Sequence, residues 1–200
     1  MKDLYLMRHG QTFFNQEGLV QGVCDSPLTE LGQDQARQAG AYLKERGIRF
    51  GPLYSSTQER ASDTLELVSG RTDYTRLKGI KEWNFGLFEA QPERLQPKFR
   101  PGATSFEDLF VPYGGEGVNQ VSERVLVTLT EVMEQAGAEP VLAVSHGGAM
   151  WAFYLKIAAQ ALDPKVRFGN CAICHYRYEQ GHFRLAEVID PLTGSVYVCE

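Results

Sequence analysis

Two histidines near opposite ends of the chain stand in the same local setting. Arg8-His9-Gly10 follows the apolar run Leu4-Tyr5-Leu6-Met7, and Ser145-His146-Gly147-Gly148 follows Val141-Leu142-Ala143-Val144. Each puts an imidazole at the carboxyl end of a buried strand, beside glycine, and ligands of open α/β sheets collect outside those strand ends. Arg8 adjoins the first histidine. Arg60 falls in the first turn of a helix opened by Ser56, so two guanidiniums at strand–helix junctions suit a dianion bound through forked hydrogen bonds. Gly10 and Gly147 let backbone N–H groups approach the same anion. Glu82 closes the strand expected over residues 74–80, within Glu82-Trp83-Asn84-Phe85-Gly86. Together these residues describe phosphoryl transfer through a histidine nucleophile, with a carboxylic acid protonating the leaving oxygen.

The elements that must position them alternate along the chain. Residues 3–8 read as a buried strand. Over 29–46 the spacing predicts an amphipathic helix, with Leu31, Ala36, Ala39 and Leu43 on its apolar side and Gly47 ending it. Leu53-Tyr54-Ser55 is a short strand, and Ser56-Thr57-Gln58-Glu59 matches a capping box for the helix after it. Residues 74–80 form an edge strand. Val118, Val121, Val125, Leu129, Val132 and Ala136 recur at steps of three and four, the clearest helix in the sequence. Val141–Ser145 is an apolar strand, 149–162 a helix apolar nearly all round, and a hairpin over 172–189 precedes a short terminal strand. Strands separated by helices of this length predict an α/β fold in three layers, a mostly parallel sheet flanked by helices on both faces. A single domain over residues 1–200 is expected. Residues 85–117, rich in glycine, proline and aromatics and weak in periodicity, are long for a connection and read as a lid.

Composition narrows the partners. Lys and Arg number 20 against 25 Asp and Glu, and the net charge of −5 argues against nucleic acid or an anionic membrane. The apolar run before Arg8 is too brief for a signal peptide or a membrane span, and a cytoplasmic location is expected. Cys171-Ala172-Ile173-Cys174-His175 has the spacing of haem c attachment. That chemistry needs export, and the segment runs on as the β-rich Tyr176-Arg177-Tyr178, so a core strand is expected. No second Cys or His pair stands at zinc-ligand spacing, and neither metal nor cofactor is expected. His175 and His182 belong to the hairpin, while Trp83, Phe85 and Phe88 read as core or pocket wall. Arg94, Lys98 and Arg100 read either as a solvated charge run or as a substrate-anion site on the lid.

Across the whole chain, and in order, the sequence resembles the histidine phosphatase superfamily, the clan of cofactor-dependent phosphoglycerate mutases and acid-type phosphatases. Arg8-His9-Gly10-Gln11-Thr12 with Asn15 resembles its R-H-G-x-T-x-x-N signature. Gln21-Gly22, Asp25 and Pro27-Leu28-Thr29-x-x-Gly32 resemble the segment that follows. Ser55-Ser56 with Arg60-Ala61 and Thr64, then Glu82-x-x-x-Gly86-x-x-Glu89, then Gly114-Gly115-Glu116 with Arg124, and finally Val144-Ser145-His146-Gly147-Gly148 complete the set. The resemblance implies that His9 is the nucleophile, that Arg8, Arg60, His146 and Gly147 bind the transferring phosphoryl group, and that Glu82 is the proton donor and later base. Asn15 would be a lesser phosphate contact and Gln21 a substrate contact. Two positions depart from the pattern: Ala90 stands where the family usually has glycine, and Gly117 where serine is common. The mutases of the superfamily are longer and carry paired arginines in an inserted segment, and no Arg-Arg pair occurs here. A phosphomonoester hydrolase acting on a small phosphorylated metabolite is therefore expected, with mutase-type transfer as the alternative. A non-catalytic phosphate-binding module is disfavoured by the intact set of five residues.

Overall fold

The two apolar runs that carry the histidines lie side by side. In the computed structural model, which describes residues 1–158, 162–163 and 165–199, β1 (Lys2–Arg8) pairs in parallel with β4 (Val141–Ser145). The register sets Leu4 opposite Val141 and Arg8 opposite Ser145, so His9 and His146 leave the sheet at the same level. β2 (Leu53–Ser56) pairs in parallel with the other side of β4, and β3 (Thr75–Leu77) lies parallel at the edge. Beyond β1, β5 (Ile173–Glu179), β6 (His182–Asp190) and β7 (Ser195–Val198) run antiparallel. The seven-stranded order is β3-β2-β4-β1-β5-β6-β7. Its parallel half supplies the strand ends at which the candidate site gathers.

Strands buried on both faces read as continuous apolar runs, and alternate residues of β1 and β4 feed separate cores. Leu4, Leu6, Val141 and Ala143 share one with α4 (Val118–Gln135) and α5 (Gly147–Ile157). Tyr5, Met7, Leu142 and Val144 share the other with α2 (Glu30–Glu45) and α3 (Glu59–Ser69). This is the expected three-layer α/β arrangement. α1 (Phe13–Glu17) is a short turn of helix after His9, capped by Thr12 and closed by Gly18.

Several local expectations are corrected. Leu31 is 53% exposed, because the buried stripe of α2 runs through Gly32, Ala36, Ala39 and Leu43. The stripe starts at a glycine because α2 approaches the loop after β1 so closely: a Cβ on Gly10 would stand 2.4 Å from the Gly32 carbonyl oxygen. The capping box at Ser56 does not form. β2 continues through Ser56, and α3 starts at Glu59 after Gln58, which provides no side-chain cap. The strand expected over 74–80 is confined to Thr75–Leu77 and passes into one 3₁₀ turn at Lys78–Ile80. α5 begins two residues early, at Gly147, and ends at Ile157; residues 159–161 of the expected helix lie outside the described residues. The hairpin forms as expected. Cys174 is buried in β5 and, like Cys171, is a free thiol, with burial pushing Cys171 up to about 12. His175 bonds Asp3 and Glu187 and stacks on Tyr5 at 4.3 Å.

Residues 85–117 form 3₁₀ turns and loops around an aromatic cluster. Phe110, fully buried, packs edge-on against Phe85, Phe88 and Phe106. The segment is fastened to the loop after α1 by Glu89. Its carboxylate accepts from the backbone N–H groups of Gly22, Val23, Cys24 and Phe85. Arg100 pairs with Glu107 and Asp108 at the surface, and Arg94 and Lys98 are exposed, which favours the solvated charge run.

Candidate active site

His9 is buried and held by its first ring nitrogen. Nδ1 donates to the Gly10 carbonyl at 2.7 Å, which leaves the lone pair on Nε2. The Arg60 Nε–H points at that nitrogen from 3.3 Å. Burial first, then the charges of Arg60 and Arg8, push the His9 pKa well below its usual value, so the ring is neutral at neutral pH. A neutral, oriented imidazole whose Nε2 carries the lone pair is a competent nucleophile.

Arg60 has no exposed surface and is fixed at every nitrogen. Nη1 meets Asp25 at 2.7 Å and the Cys24 carbonyl at 3.1 Å, and Nη2 donates to the Gly22 carbonyl at 3.0 Å. A buried guanidinium needs such partners to offset lost hydration. Its acceptors come from the 22–25 loop that Glu89 also grips.

The His146 ring stands 5.2 Å, centre to centre, from the His9 ring. The Ser56 hydroxyl accepts the Gln58 N–H and lies 2.7 Å from His146 Nε2. With that hydroxyl donating to Nε2, the ring proton sits on Nδ1, a buried atom without a protein partner. Burial, then Arg60 and His9, hold the His146 pKa well below its usual value too. Arg8 donates through Nη1 to the Phe168 carbonyl at 2.8 Å, while its Nε is likewise buried and unpartnered. Among the described residues, the only other buried side-chain polar atom in that condition is the Tyr176 hydroxyl.

Glu82 meets the start of α5. Oε1 accepts from Trp83 N at 2.7 Å and Ala149 N at 2.8 Å, and Oε2 accepts from Gly148 N at 3.0 Å. The helix N-terminus favours a carboxyl group there. A Cβ on Gly148 would stand 2.7 Å from Oε1, so the second glycine after His146 is required by this contact.

A cavity of about 440 Å³ opens at these strand ends. Arg8, His9, Asn15, Gln21, Glu82 and Gly147 line it; Arg60 and His146, both without exposed surface, adjoin His9 and do not. The structure thus brings all eight predicted residues to one place, with two of them off the cavity wall. Asn15 borders the cavity while serving the turn of α1, its Oδ1 accepting the Thr12 N–H. Gln21 is tied to the Thr12 hydroxyl at 2.6 Å.

Three residues that the sequence left unassigned hold the set in place. Gln58 accepts the Glu82 N–H through Oε1 at 2.8 Å and donates through Nε2 to the Gly22 carbonyl, joining the Glu82 loop to the Arg60 loop. Arg124 pairs with Glu116 and donates to the backbone carbonyls of Gly79, Lys81 and Glu82. Asn170 donates to the His9 carbonyl at 3.1 Å and to Asn15 Oδ1 at 3.3 Å. Arg124 carried a signal, since it matched a family segment; a lone glutamine or asparagine carries none.

Comparison with known proteins gives a consistent result. The family model of the histidine phosphatase superfamily (branch 1) matches residues 4–191. A protein of Salmonella newport (strain SL254), named probable phosphoglycerate mutase GpmB, is 30% identical over 98% of this chain and 94% of its own length. The crystal structure of a phosphoglycerate mutase from Bacillus anthracis str. Sterne superposes with a TM-score of 0.79 at 26% identity, covering 92% of this chain and 91% of that one. A putative alpha-ribazole-5'-P phosphatase from Escherichia coli str. K-12 superposes with a TM-score of 0.75 at 25% identity, covering 92% and 94%.

Proposed function

This chain belongs to the histidine phosphatase superfamily, and on that premise we propose that it hydrolyses small phosphomonoesters by way of a phosphohistidine on His9. His9 Nε2 attacks phosphorus as the bond to the leaving oxygen breaks, and Glu82 gives that oxygen its proton. The same carboxylate, now charged, takes a proton from water. The hydroxide attacks the phosphohistidine, the N–P bond breaks, and phosphate leaves with His9 neutral again. Arg8 and the Gly147 N–H, which line the cavity, hold the phosphoryl oxygens, and Arg60 joins them as its Nε–H turns from His9 Nε2 to the incoming group, with the buried His146 beside it; Asn15 and Gln21 border the group. The guanidiniums supply the positive charge that other phosphoryl-transfer sites take from Mg²⁺.

One observation carries this reading. A neutral histidine, its Nε2 lone pair met only by the Arg60 Nε–H, adjoins two residues with buried nitrogens that lack protein partners, Arg8 Nε and His146 Nδ1. Buried polar atoms are ordinarily satisfied, and two unsatisfied ones in residues next to one nucleophile support an anion as the missing partner. The fold is proposed to act as one domain over 1–200, with 85–117 as its lid. Four free thiols support a reducing, cytoplasmic setting. Among the described residues no helix is long and apolar enough to cross a membrane.

The test is to trap an acid-labile, base-stable phosphoenzyme with labelled substrate in the presence of a chelator. Wild type should carry the label and His9→Ala should neither carry it nor turn over. Normal turnover by His9→Ala would end the proposal. Mutase transfer is the second reading, because the Salmonella relative bears that name. A coupled assay with 3-phosphoglycerate decides between them: free phosphate should appear without isomerised product.

A further inference from the structure

The cavity beyond the phosphate-binding residues is larger and more aromatic than a small acidic metabolite needs. Its walls include two edge-to-face ring pairs, Phe85 with Phe106 at 6.1 Å and Trp151 with Phe168 at 5.7 Å, together with Val20 and Val166. Two of these rings are anchored. The Trp151 Nε1–H donates to the Thr104 carbonyl on the lid, and the Phe168 carbonyl accepts from Arg8, which places that residue beside the phosphoryl group.

The remaining charged lining is one carboxylate, Glu93, and one guanidinium, Arg167. Arg167 turns back on its own chain, donating to the Val166 carbonyl at 3.1 Å. Burial lowers the Arg8 pKa, and the charges of Glu82 and then Glu93 oppose that shift, so Glu93, itself on the cavity wall, is felt at the phosphate-binding end. A phosphorylated hydroxy acid would bring a second anion into that field. An alcohol with an aromatic or branched apolar body would instead displace water from the rings, at about 25 cal/mol per Å² of apolar surface covered.

We propose that this enzyme selects phosphomonoesters of apolar, preferably aromatic, alcohols without a second negative charge. The rings bind the alcohol, and Glu93 disfavours phosphoglycerate-like acids. The inference rests on the phosphatase reading above and deepens it.

Binding and turnover are measured separately so that each can fail alone. Calorimetric titration compares benzylphosphonate, which cannot be hydrolysed, with 3-phosphoglycerate. Benzylphosphonate should bind at least tenfold more tightly, with the negative heat-capacity change of apolar burial. In parallel, kcat/KM for benzyl phosphate should exceed that for 3-phosphoglycerate by a similar factor. Trp151→Ala should reduce the benzylphosphonate preference about tenfold. Glu93→Gln, a change at an exposed turn that does not threaten folding, should narrow it from the other side by improving 3-phosphoglycerate binding. Equal or tighter binding of 3-phosphoglycerate to wild type overturns the proposal, as does a ratio unmoved by Glu93→Gln. Preferred benzylphosphonate binding without any hydrolysis would overturn the phosphatase reading and leave this one standing.

Discussion

The strand-end site and the 85–117 segment are built by opposite means. Around His9 the positions are set by backbone: a parallel register that levels two strand ends, N–H groups that fix Glu82, and carbonyls that fix Arg60. Over 85–117 they are set by the shapes of rings packed round Phe110, with short 3₁₀ turns between them. A backbone-built site tolerates few residue types and can serve any phosphoryl group. A ring-built wall tolerates many. On the proposed function the reaction falls to the strand ends and the choice of alcohol to the rings of the cavity, of which Phe85 and Phe106 belong to 85–117 and Trp151 and Phe168 do not; the segment and the site are joined at Glu89.

That separation can be broken most sharply at Arg60. Arg60→Ala should lower kcat/KM by about 10³-fold, alike for an alkyl and an aryl phosphate, because the charge on the transferred group is the same in both. A loss confined to one ester would mean that Arg60 reads the alcohol. Glu82→Gln should behave otherwise. It should cost about 10²-fold or more on the alkyl ester, whose leaving oxygen needs a proton, and much less on p-nitrophenyl phosphate. Equal losses would place the proton donor elsewhere, and Glu89 is a poor substitute, since Glu82 lines the cavity and Glu89 does not.

Acidity tests the site against the rest of the fold. His9 and His146 both have pKa values held well below normal, chiefly by burial. In the unfolded chain they titrate near the ordinary value of about 6.5. Below that pH the unfolded state binds more protons than the folded one, so stability should fall on acidification and recover as pH rises to neutrality. The acid limb of kcat/KM should lie below pH 6.5. Melting curves and rate profiles from pH 4.5 to 8 check both, and a limb at or above 6.5 would show the His9 ring to be less shielded than its burial implies.

The smallest effect is expected at the joint itself. Ala90 has φ +60°, a left-handed conformation that penalises a side chain. Ala90→Gly should stabilise the protein by about 0.5–1 kcal/mol after the glycine's own unfolded-state entropy is deducted. Thermal unfolding should show this with kcat unchanged; a lower melting temperature would contradict it.

The same contrast explains what was legible in the sequence. Arg8, His9, His146 and Gly147 announce themselves because a polar residue followed by glycine at the end of an apolar run has few structural uses. The departure at Ala90 was visible as a missing glycine, and the structure supplies its cost. Ser56 misled because its S-x-x-E spacing matches a helix cap, yet tertiary contact with His146 keeps it in β2. Leu31 misled because periodicity does not reveal which side of a helix needs small residues, and the stripe of α2 runs through glycine and alanine instead. Gln58 and Asn170 act through single amides, which have no pattern. The 85–117 segment was legible only as an interruption, since an aromatic cluster has volume but no period.

The double pairing of β1 has a consequence for biosynthesis. The strand leading to His9 is made well over a hundred residues before its two neighbours, residues 141–145 and 173–178. At ribosomal rates of about 5–20 residues per second, it waits on the order of ten seconds with both edges open. An apolar segment with unpaired edges is a template for aggregation. The arrangement that aligns the two histidines therefore makes the newly made β1 a client for chaperones until residues 173–178 have emerged, and its long-range pairing sets a slow pace for closure of the sheet.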